Sequence, residues 1–93
     1  MFSTNEYFDG NVLSIAYESE TNPASVGVMA PGSYVFSTAA KEKMTVITGA
    51  LEIQMPDENA STIYGPGESF DVDADSSFNV TVKTETAYLC VYG

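Results

Sequence analysis

Turn-forming residues divide the chain so closely that no helix-length segment remains between them. Pro31-Gly32 and Pro66-Gly67 each pair a residue preset for the first turn position with one that tolerates positive φ, which suits type II turns. Asp9-Gly10 and Asn22-Pro23 mark further loops. The segments between these turns are short and rich in β-branched and aromatic residues, and they lack the apolar period of a helix. This punctuation predicts a fold built from strands.

Apolar and polar residues alternate in several of these segments, as expected for half-buried strands. The apolar residues Phe78, Val80 and Val82 share one face of their segment. Thr48-Gly49-Ala50 is predicted to form a tight hairpin turn. The last segment, 88–92, is apolar on both faces and is expected to be a central strand. The predicted strands are Val12–Tyr17, Ser25–Met29, Ser33–Thr38, Met44–Ile47, Leu51–Met55, Phe78–Lys83 and Ala87–Tyr92.

The length and charge of the chain limit what it can do. The 93 residues predict one domain spanning 1–93, and a chain this short buries only about 60–65% of the surface it exposes when unfolded. Thirteen acidic side chains against three lysines give a net charge of −10, which repels nucleic-acid polymers and anionic membranes. We therefore expect neither as a partner and interpret most of the acidic residues as a solvated surface.

The sequence also indicates a compartment. Cys90 is the one cysteine, so no disulfide can form within the chain, which suits a reducing environment. Residues 1–6 lack the basic start and apolar core of a signal peptide. No segment approaches the roughly 18 consecutive apolar residues that a membrane-spanning helix needs. We expect a cytoplasmic protein.

Glycine spacing connects these strands to a known fold. The segment from Gly32 to Gly49, and the later one that starts at Gly67, resemble the two sequence motifs of the cupins. The expected fold is therefore all-β: a small single-domain cupin, a jelly-roll β-barrel.

Metal ligands are the point at which the chain departs from the typical cupin, in which two His and one Glu from the first motif and one His from the second hold a divalent metal. This chain contains no histidine. Thr38, Ala40 and Phe78 stand at the histidine positions, and Glu42 matches the glutamate. One carboxylate leaves a metal under-ligated, so we expect no metal and regard a metal-dependent cupin oxygenase as a distant alternative.

Strand parity predicts which side chains line the barrel mouth. If Thr38 points inward, Tyr34 and Phe36 on the same strand point inward too. Met44 shares the parity of Glu42. The predicted mouth contains Tyr34, Phe36, Thr38, Glu42, Met44 and Phe78. It is a mostly aromatic and apolar cup with one carboxylate.

Each of these residues also has a plain structural interpretation. Phe36, Met44 and Phe78 can be ordinary core, and Glu42 can lie in an exposed loop beside Lys41 and Lys43. The hydroxyls of Ser37 and Thr38 can reflect strand propensity, or they can bind a sugar or phosphate. The alternating carboxylates at 71, 73 and 75 lack the glycine and distal glutamate of an EF-hand, so a solvated loop is favoured over a calcium site. Histidine-based catalytic triads and nucleotide-binding glycine motifs are absent from the sequence.

Nearly the whole chain resembles the small pyrimidine/purine nucleoside phosphorylase family. The matching stretches are Asn5–Phe8, Ala24–Met29, Tyr34 with Phe36–Ala39, Met44–Ile47 with Gly49–Leu51, and Tyr88–Cys90 with Tyr92. The resemblance implies a single-domain cupin that cleaves many nucleosides with phosphate to the free base and ribose 1-phosphate. It supplies no catalytic residues, so the site is predicted from parity alone. Lys41 and Lys43 flank a position that is more acidic in the family pattern, which disfavours either lysine as a general phosphate clamp.

The predicted function is therefore pentosyl transfer from nucleosides to phosphate, without a cofactor. Glu42 is the expected catalytic residue, for ribose hydroxyl binding or transition-state stabilisation, and Ser37 and Thr38 are expected to contact phosphate or sugar. Tyr34 and Phe78 are assigned to base stacking, and Phe36 and Met44 complete the substrate pocket. The alternative is a non-catalytic cupin that senses or sequesters a small molecule, because one fold hosts unrelated functions.

We also expect a homodimer. A small barrel with exposed strand edges has reason to associate, and the strand from Tyr88 to Tyr92 offers apolar side chains on both faces. One face would fill the barrel and the other, with Leu89 and Val91, would meet a second copy. Alternatively, Leu89 and Val91 pack under Tyr7-Phe8 within one chain, which would leave a monomer.

Overall fold

Ten strands form along residues 2–93, the part of the chain that the computed structural model describes. All regular structure in this range is β, so the all-β prediction is confirmed. Consequently, these residues contain no helix that could cross a membrane. In chain order the strands are β1 (Ser3–Tyr7), β2 (Val12–Glu18), β3 (Pro23–Met29), β4 (Gly32–Ser37), β5 (Glu42–Thr48), β6 (Leu51–Gln54), β7 (Thr62–Tyr64), β8 (Ser69–Val72), β9 (Ser77–Val82) and β10 (Thr86–Tyr92).

The strands make two antiparallel sheets. One sheet has the order β1-β2-β3-β10-β5-β8, and the other has the order β4-β9-β6-β7. β10 lies between β3 and β5, which confirms the prediction of a central C-terminal strand. Within residues 2–93 no backbone ladder joins the two sheets. The jelly roll therefore consists of two facing sheets and not of a closed hydrogen-bonded ring.

The hydrophobic core lies between the two sheets and follows the period-two alternation of the strands. On β9, Phe78, Val80 and Val82 are buried and Asn79 is exposed, as the alternation predicts. The facing sheet contributes residues such as Val46, which is 1% exposed. Burying a side chain of this kind stabilises the fold by about 1.5–3 kcal/mol relative to leaving it exposed. One cluster of buried residues draws on both sheets.

Thr48-Gly49-Ala50 does not form the predicted hairpin turn. The strand before it, β5, belongs to the six-stranded sheet, and the strand after it, β6, belongs to the four-stranded sheet. Gly49 has a φ of 88°, and the Ala50 amide donates to Thr86 Oγ1 at 3.2 Å. The segment is therefore a corner that carries the chain from one sheet to the other. A glycine signals the sharp turn, but it does not specify the partner of the next strand.

The two Pro-Gly pairs behave differently. At Pro66-Gly67 the amide of Glu68 donates to the carbonyl of Gly65 at 3.0 Å and Gly67 has a φ of 83°, which is a type II turn as predicted. At Pro31-Gly32 the prediction is wrong, because Gly32 has a φ of 158° and already begins β4.

Three strands escaped prediction because their apolar pattern is weak. β1 is mostly exposed and polar, β7 has three residues and β8 has four. A strand that short gives no readable alternation. β1 and β8 lie at the two edges of the six-stranded sheet, and β7 lies at an edge of the other.

The corner at Gly49 is a test of this architecture. A Cβ at position 49 would collide with Thr86 Oγ1 and would lie 2.9 Å from the Glu85 carbonyl, in a backbone conformation that side chains rarely adopt. We expect Gly49→Ala to lower the free energy of unfolding by about 3 kcal/mol in urea titration. Gly67→Ala is the matched control, because its φ is similar but nothing lies within 4 Å, and it should cost about 1 kcal/mol. Equal losses of unfolding free energy at the two positions would contradict the tight packing of the corner at Gly49.

Candidate functional site

A cavity of about 220 Å³ opens between the two sheets. It lies where β4 and β9 face the first half of β5 and the last half of β10, with β1 and β2 beside them. Its walls carry ten residues: Tyr7, Ser14, Phe36, Ser37, Glu42, Met44, Phe78, Tyr88, Cys90 and Tyr92. The cavity therefore brings together Phe36, Ser37, Glu42, Met44 and Phe78 of the predicted site.

Aromatic rings form one wall. Phe36 and Phe78 are register partners on β4 and β9, and their rings stack with centroids 5.8 Å apart and an interplanar angle of 21°. Phe8 contacts the ring of Phe36 edge-on at 5.4 Å. Stacked and edge-to-face pairs of this kind hold one another in place. The wall is an apolar aromatic surface of the kind against which a planar ligand can pack.

Glu42 lies at the start of β5 and is half-buried, whereas its neighbours Lys41 and Lys43 are exposed. The interpretation of Glu42 as an exposed loop residue is therefore wrong. Burial raises the pKa of the Glu42 carboxyl, and a hydrogen bond from Cys90 partly offsets this. The thiol Sγ donates to Glu42 Oε1 at 3.4 Å. The carboxylate can therefore accept a ligand hydroxyl or face a developing positive charge.

Tyr34 and Thr38, two of the predicted site residues, point inward but do not line the cavity. The Tyr34 hydroxyl donates to the Ala30 carbonyl at 2.5 Å. The Thr38 hydroxyl donates to the Asp73 carbonyl at 2.7 Å and accepts from the Ser76 amide at 3.0 Å. Thr38 follows the last residue of β4, so its hydroxyl ties the β4 end to the loop between β8 and β9. Strand parity predicted the inward direction of both side chains correctly, but both hydroxyl groups already have hydrogen-bond partners within the protein.

Sequence reasoning missed half of the cavity lining. Tyr88, Cys90 and Tyr92 alternate along β10, so they share the inward face of that strand. The parity argument applied to β4 and β5 would have found them on β10 as well. Tyr7 gave no such signal, because β1 was not predicted, and Ser14 is a small polar residue within an otherwise readable strand.

The phenol groups of Tyr88 and Tyr92 in the cavity stay protonated near neutral pH. Burial raises the pKa of Tyr88, and burial also raises the pKa of Tyr92 to about 12 although the hydrogen bond with Ser25 works against it. Tyr92 Oη and Ser25 Oγ lie 2.9 Å apart. The cavity therefore presents one carboxyl group among neutral hydroxyl and thiol groups.

The residues present do not fit the divalent metal of the typical cupin. The Thr38 hydroxyl is occupied by the backbone, Ala40 is exposed and has no donor, and Phe78 contributes only a ring to the core. Within residues 2–93 no three Cys, Asp or Glu side chains are grouped to hold a metal.

Comparison with known proteins identifies the family. Residues 2–92 match the family pyrimidine/purine nucleoside phosphorylase. The chain belongs to this family. A Magnetococcus marinus protein named pyrimidine/purine nucleoside phosphorylase is 52% identical over 93 residues, which is 100% of both chains. The resemblance inferred from the sequence is thus confirmed.

Solved structures show the same fold. A Vibrio parahaemolyticus protein described as of unknown function aligns with a TM-score of 0.97 and 47% identity, over 100% of this chain and 99% of that one. An RmlC-like cupin from Shewanella frigidimarina aligns with a TM-score of 0.76 and 13% identity, over 99% and 83% of the two chains. The second likeness concerns fold alone, and it confirms the predicted cupin fold.

The environment of Cys90 favours the protonated thiol over the thiolate. Cys90 is 2% exposed, and burial raises its pKa to about 12, with the nearby Glu42 carboxyl adding to the effect. Because the thiolate is the nucleophile, we expect native Cys90 to react with iodoacetamide at pH 8 on the order of a thousandfold more slowly than an ordinary exposed thiol. The same protein in urea is the control and should react at the ordinary rate. Equal rates in the two states would show that the thiol is accessible.

Proposed function

We propose that this protein cleaves purine and pyrimidine nucleosides with inorganic phosphate, giving the free base and ribose 1-phosphate. A phosphate oxygen bonds to C1′ while the glycosidic bond breaks. The electron pair of the glycosidic bond leaves with the base nitrogen, which takes up the proton that the phosphate loses. The observation that carries the proposal is the half-buried carboxyl of Glu42 next to the Phe36–Phe78 stack in one cavity. Family membership supports the same reaction. The proposed reaction uses phosphate as a co-substrate, and it needs no cofactor.

In this proposal Phe78 and Phe36 pack against the base. Phe36 takes the stacking role first given to Tyr34, and the rings of these two residues contact each other edge-on with centroids 6.2 Å apart. Ser37 contacts phosphate or sugar without help from Thr38, whose hydroxyl is already bonded within the chain. Met44 lines the apolar side of the cavity.

Glu42 would stabilise the positive charge that develops on the ribose ring as the glycosidic bond breaks. Two opposite charges about 4 Å apart interact by about 4 kcal/mol in a partly solvated site. A contribution of that size to the transition state corresponds to roughly a thousandfold in rate. This role requires the ionised form of Glu42. Because the pKa of Glu42 is raised, activity should be lost at a higher pH, as the pH is lowered, than it would be with an ordinary carboxyl group.

Phosphorolysis by Glu42→Gln is the direct test. We expect kcat for uridine and inosine to fall about 100- to 1,000-fold, because the amide keeps the shape but not the charge. Base release with and without phosphate is followed by chromatography. The matched control is Glu52→Gln. Glu52 is partly buried on β6 and accepts a hydrogen bond from Ser61 outside the cavity, so this variant should keep full activity.

Stability separates this effect from misfolding. A carboxyl whose folded-state pKa is raised contributes stability at low pH that is lost as the pH rises through that pKa. Glu42→Gln should therefore have a Tm at pH 7 equal to or above that of the wild type. Wild-type protein that binds nucleosides but releases no base with phosphate would support the alternative, a ligand-binding cupin without catalysis.

We further propose that the protein is a homodimer and that it acts in the cytoplasm, where an unpaired Cys90 stays reduced. The outer face of the six-stranded sheet supports the dimer. Leu13, Ile15, Val26 and Val28 lie on this face, are between 39% and 52% exposed, and form direct register pairs across β2 and β3. We call these four residues the β2–β3 patch.

The β2–β3 patch suits a second copy of this chain. The four patch residues carry no charge, so they add no repulsion between two chains of net charge −10. The chain exposes 5708 Å², about 500 Å² more than a folded monomer of its mass typically exposes. A standard interface buries about 800 Å² of each partner.

The proposed dimer interface therefore lies on β2 and β3, and not at Leu89 and Val91 of β10 as first predicted. Both residues are half-buried, and Leu89 lies opposite Val26 at the margin of the patch. Phe8 does not cover them, because its ring contacts Tyr34 and Phe36 on the inner side.

Light scattering at micromolar concentration tests the dimer. We expect a mass twice the 9.9 kDa of one chain, and we expect the double variant Ile15→Asp/Val28→Asp to reduce it to that of one chain with an unchanged strand signal in circular dichroism. Ile63→Asp is the control, because Ile63 is 62% exposed on the other sheet. A wild-type mass of about one chain would refute the dimer. Dissociation of the dimer by Ile63→Asp would show that the interface does not lie at the β2–β3 patch.

A further inference from the structure

The contact between Cys90 and Glu42 joins the central strand to the proposed catalytic residue. Cys90 pairs with Met44, and Tyr92 pairs with Glu42, in the ladder between β10 and β5. Cys90 and Glu42 are thus diagonal neighbours on the inward face, and Sγ lies 3.4 Å from Oε1. Among the side-chain hydrogen bonds within residues 2–93, this is the one that reaches the Glu42 carboxyl.

Neighbouring hydroxyl groups extend this contact. The Tyr92 hydroxyl lies 2.9 Å from Ser25 Oγ, and Ser25 is the register partner of Cys90 on β3. The thiol is held protonated by its burial, so toward Glu42 it serves as a donor. Ser25, Tyr92 and Cys90 are therefore neutral groups close to the carboxyl group, and Cys90 is the one that donates to it.

We propose that Cys90 is a positioning residue, whose thiol holds the Glu42 carboxyl in the orientation that faces the cavity. The functional part of this proposal rests on the role given above to Glu42. A neutral donor suits that role, because a lysine or arginine at the same place would compensate the charge that the ribose must meet. A thiol is also a weak donor, so it orients the carboxyl group while leaving most of its capacity for hydrogen bonds free.

Substitutions at Cys90 separate this donor from plain packing. Cys90→Val keeps an apolar side chain of similar size but donates nothing, whereas Cys90→Ser keeps a donor. We expect Cys90→Val to lower kcat about tenfold with little change in KM. The acid limb of its pH–rate profile should move to higher pH, because loss of the donor removes the interaction that lowers the Glu42 pKa. Cys90→Ser should leave the acid limb close to that of the wild type.

A core variant provides the structural control. Val46→Ala removes a buried side chain from β5, 1% exposed and outside the cavity lining. It should lower Tm but leave the acid limb unchanged. A shift of the acid limb in Val46→Ala equal to that in Cys90→Val would assign the effect to general destabilisation and overturn the proposal.

A second measurement does not depend on turnover. The carboxyl carbon of Glu42, assigned by its loss in Glu42→Gln, is titrated by NMR in the wild type and in Cys90→Val. We expect Glu42 to titrate at higher pH in Cys90→Val. Identical titration curves would show that Cys90 is only a core residue. If the wild type shows no phosphorolysis, the proposed function fails, and the titration still decides whether the thiol acts on Glu42.

Discussion

The antiparallel ladders on both sides of β10 are the constraint on which the rest of the structure depends. They fix Cys90 against Ser25 on one side and against Met44 on the other. Since side chains alternate between faces, a slip of one residue would turn Cys90 and Tyr92 to the outside of the sheet and would bring Leu89 and Val91 into the cavity. The irregularity between Ala87 and Tyr88 shifts the register with β5 just before this stretch begins. Correct pairing of β10 is therefore a condition both for the core and for the contact with Glu42.

A chain of 93 residues has little room to keep core and site apart. Met44 and Phe78 belong to the hydrophobic core cluster and also line the cavity. Replacing either one would remove buried apolar area and change the binding surface at once, so lost activity alone would say little about its role. Glu42 is different, because a half-buried carboxyl costs stability unless it is paired or used. Its presence in the cavity therefore supports a function more strongly than the aromatic residues do.

The sequence predicted those features that depend on local alternation and failed where partners distant in the chain decide. β9 was readable because Phe78, Val80 and Val82 share one buried face. Gly49 indicated a sharp turn, but only the pairing of β6 with β7 and β9 shows that it leads to the other sheet. For Thr38, parity gave the inward direction, but the loop carbonyl of Asp73 that occupies its hydroxyl is 35 residues away. Neither the sheet assignment nor the loop contact leaves a local trace in the sequence.

The positions that bind metal in the typical cupin have other uses in this chain. Thr38 joins the end of β4 to the loop before β9, and Phe78 stacks on Phe36. With no histidine in the chain and no Lys or Arg among the cavity-lining residues, the site offers one carboxyl group among neutral donors. Such a site favours a ligand that carries hydroxyl groups and gains positive charge as it reacts. A phosphate ion would have to be held by neutral donors such as the hydroxyl of Ser37, because the carboxylate repels it. In the proposed reaction these electrostatics would favour the ribose cation over the attacking phosphate, so positioning of phosphate would be the harder part for this cavity.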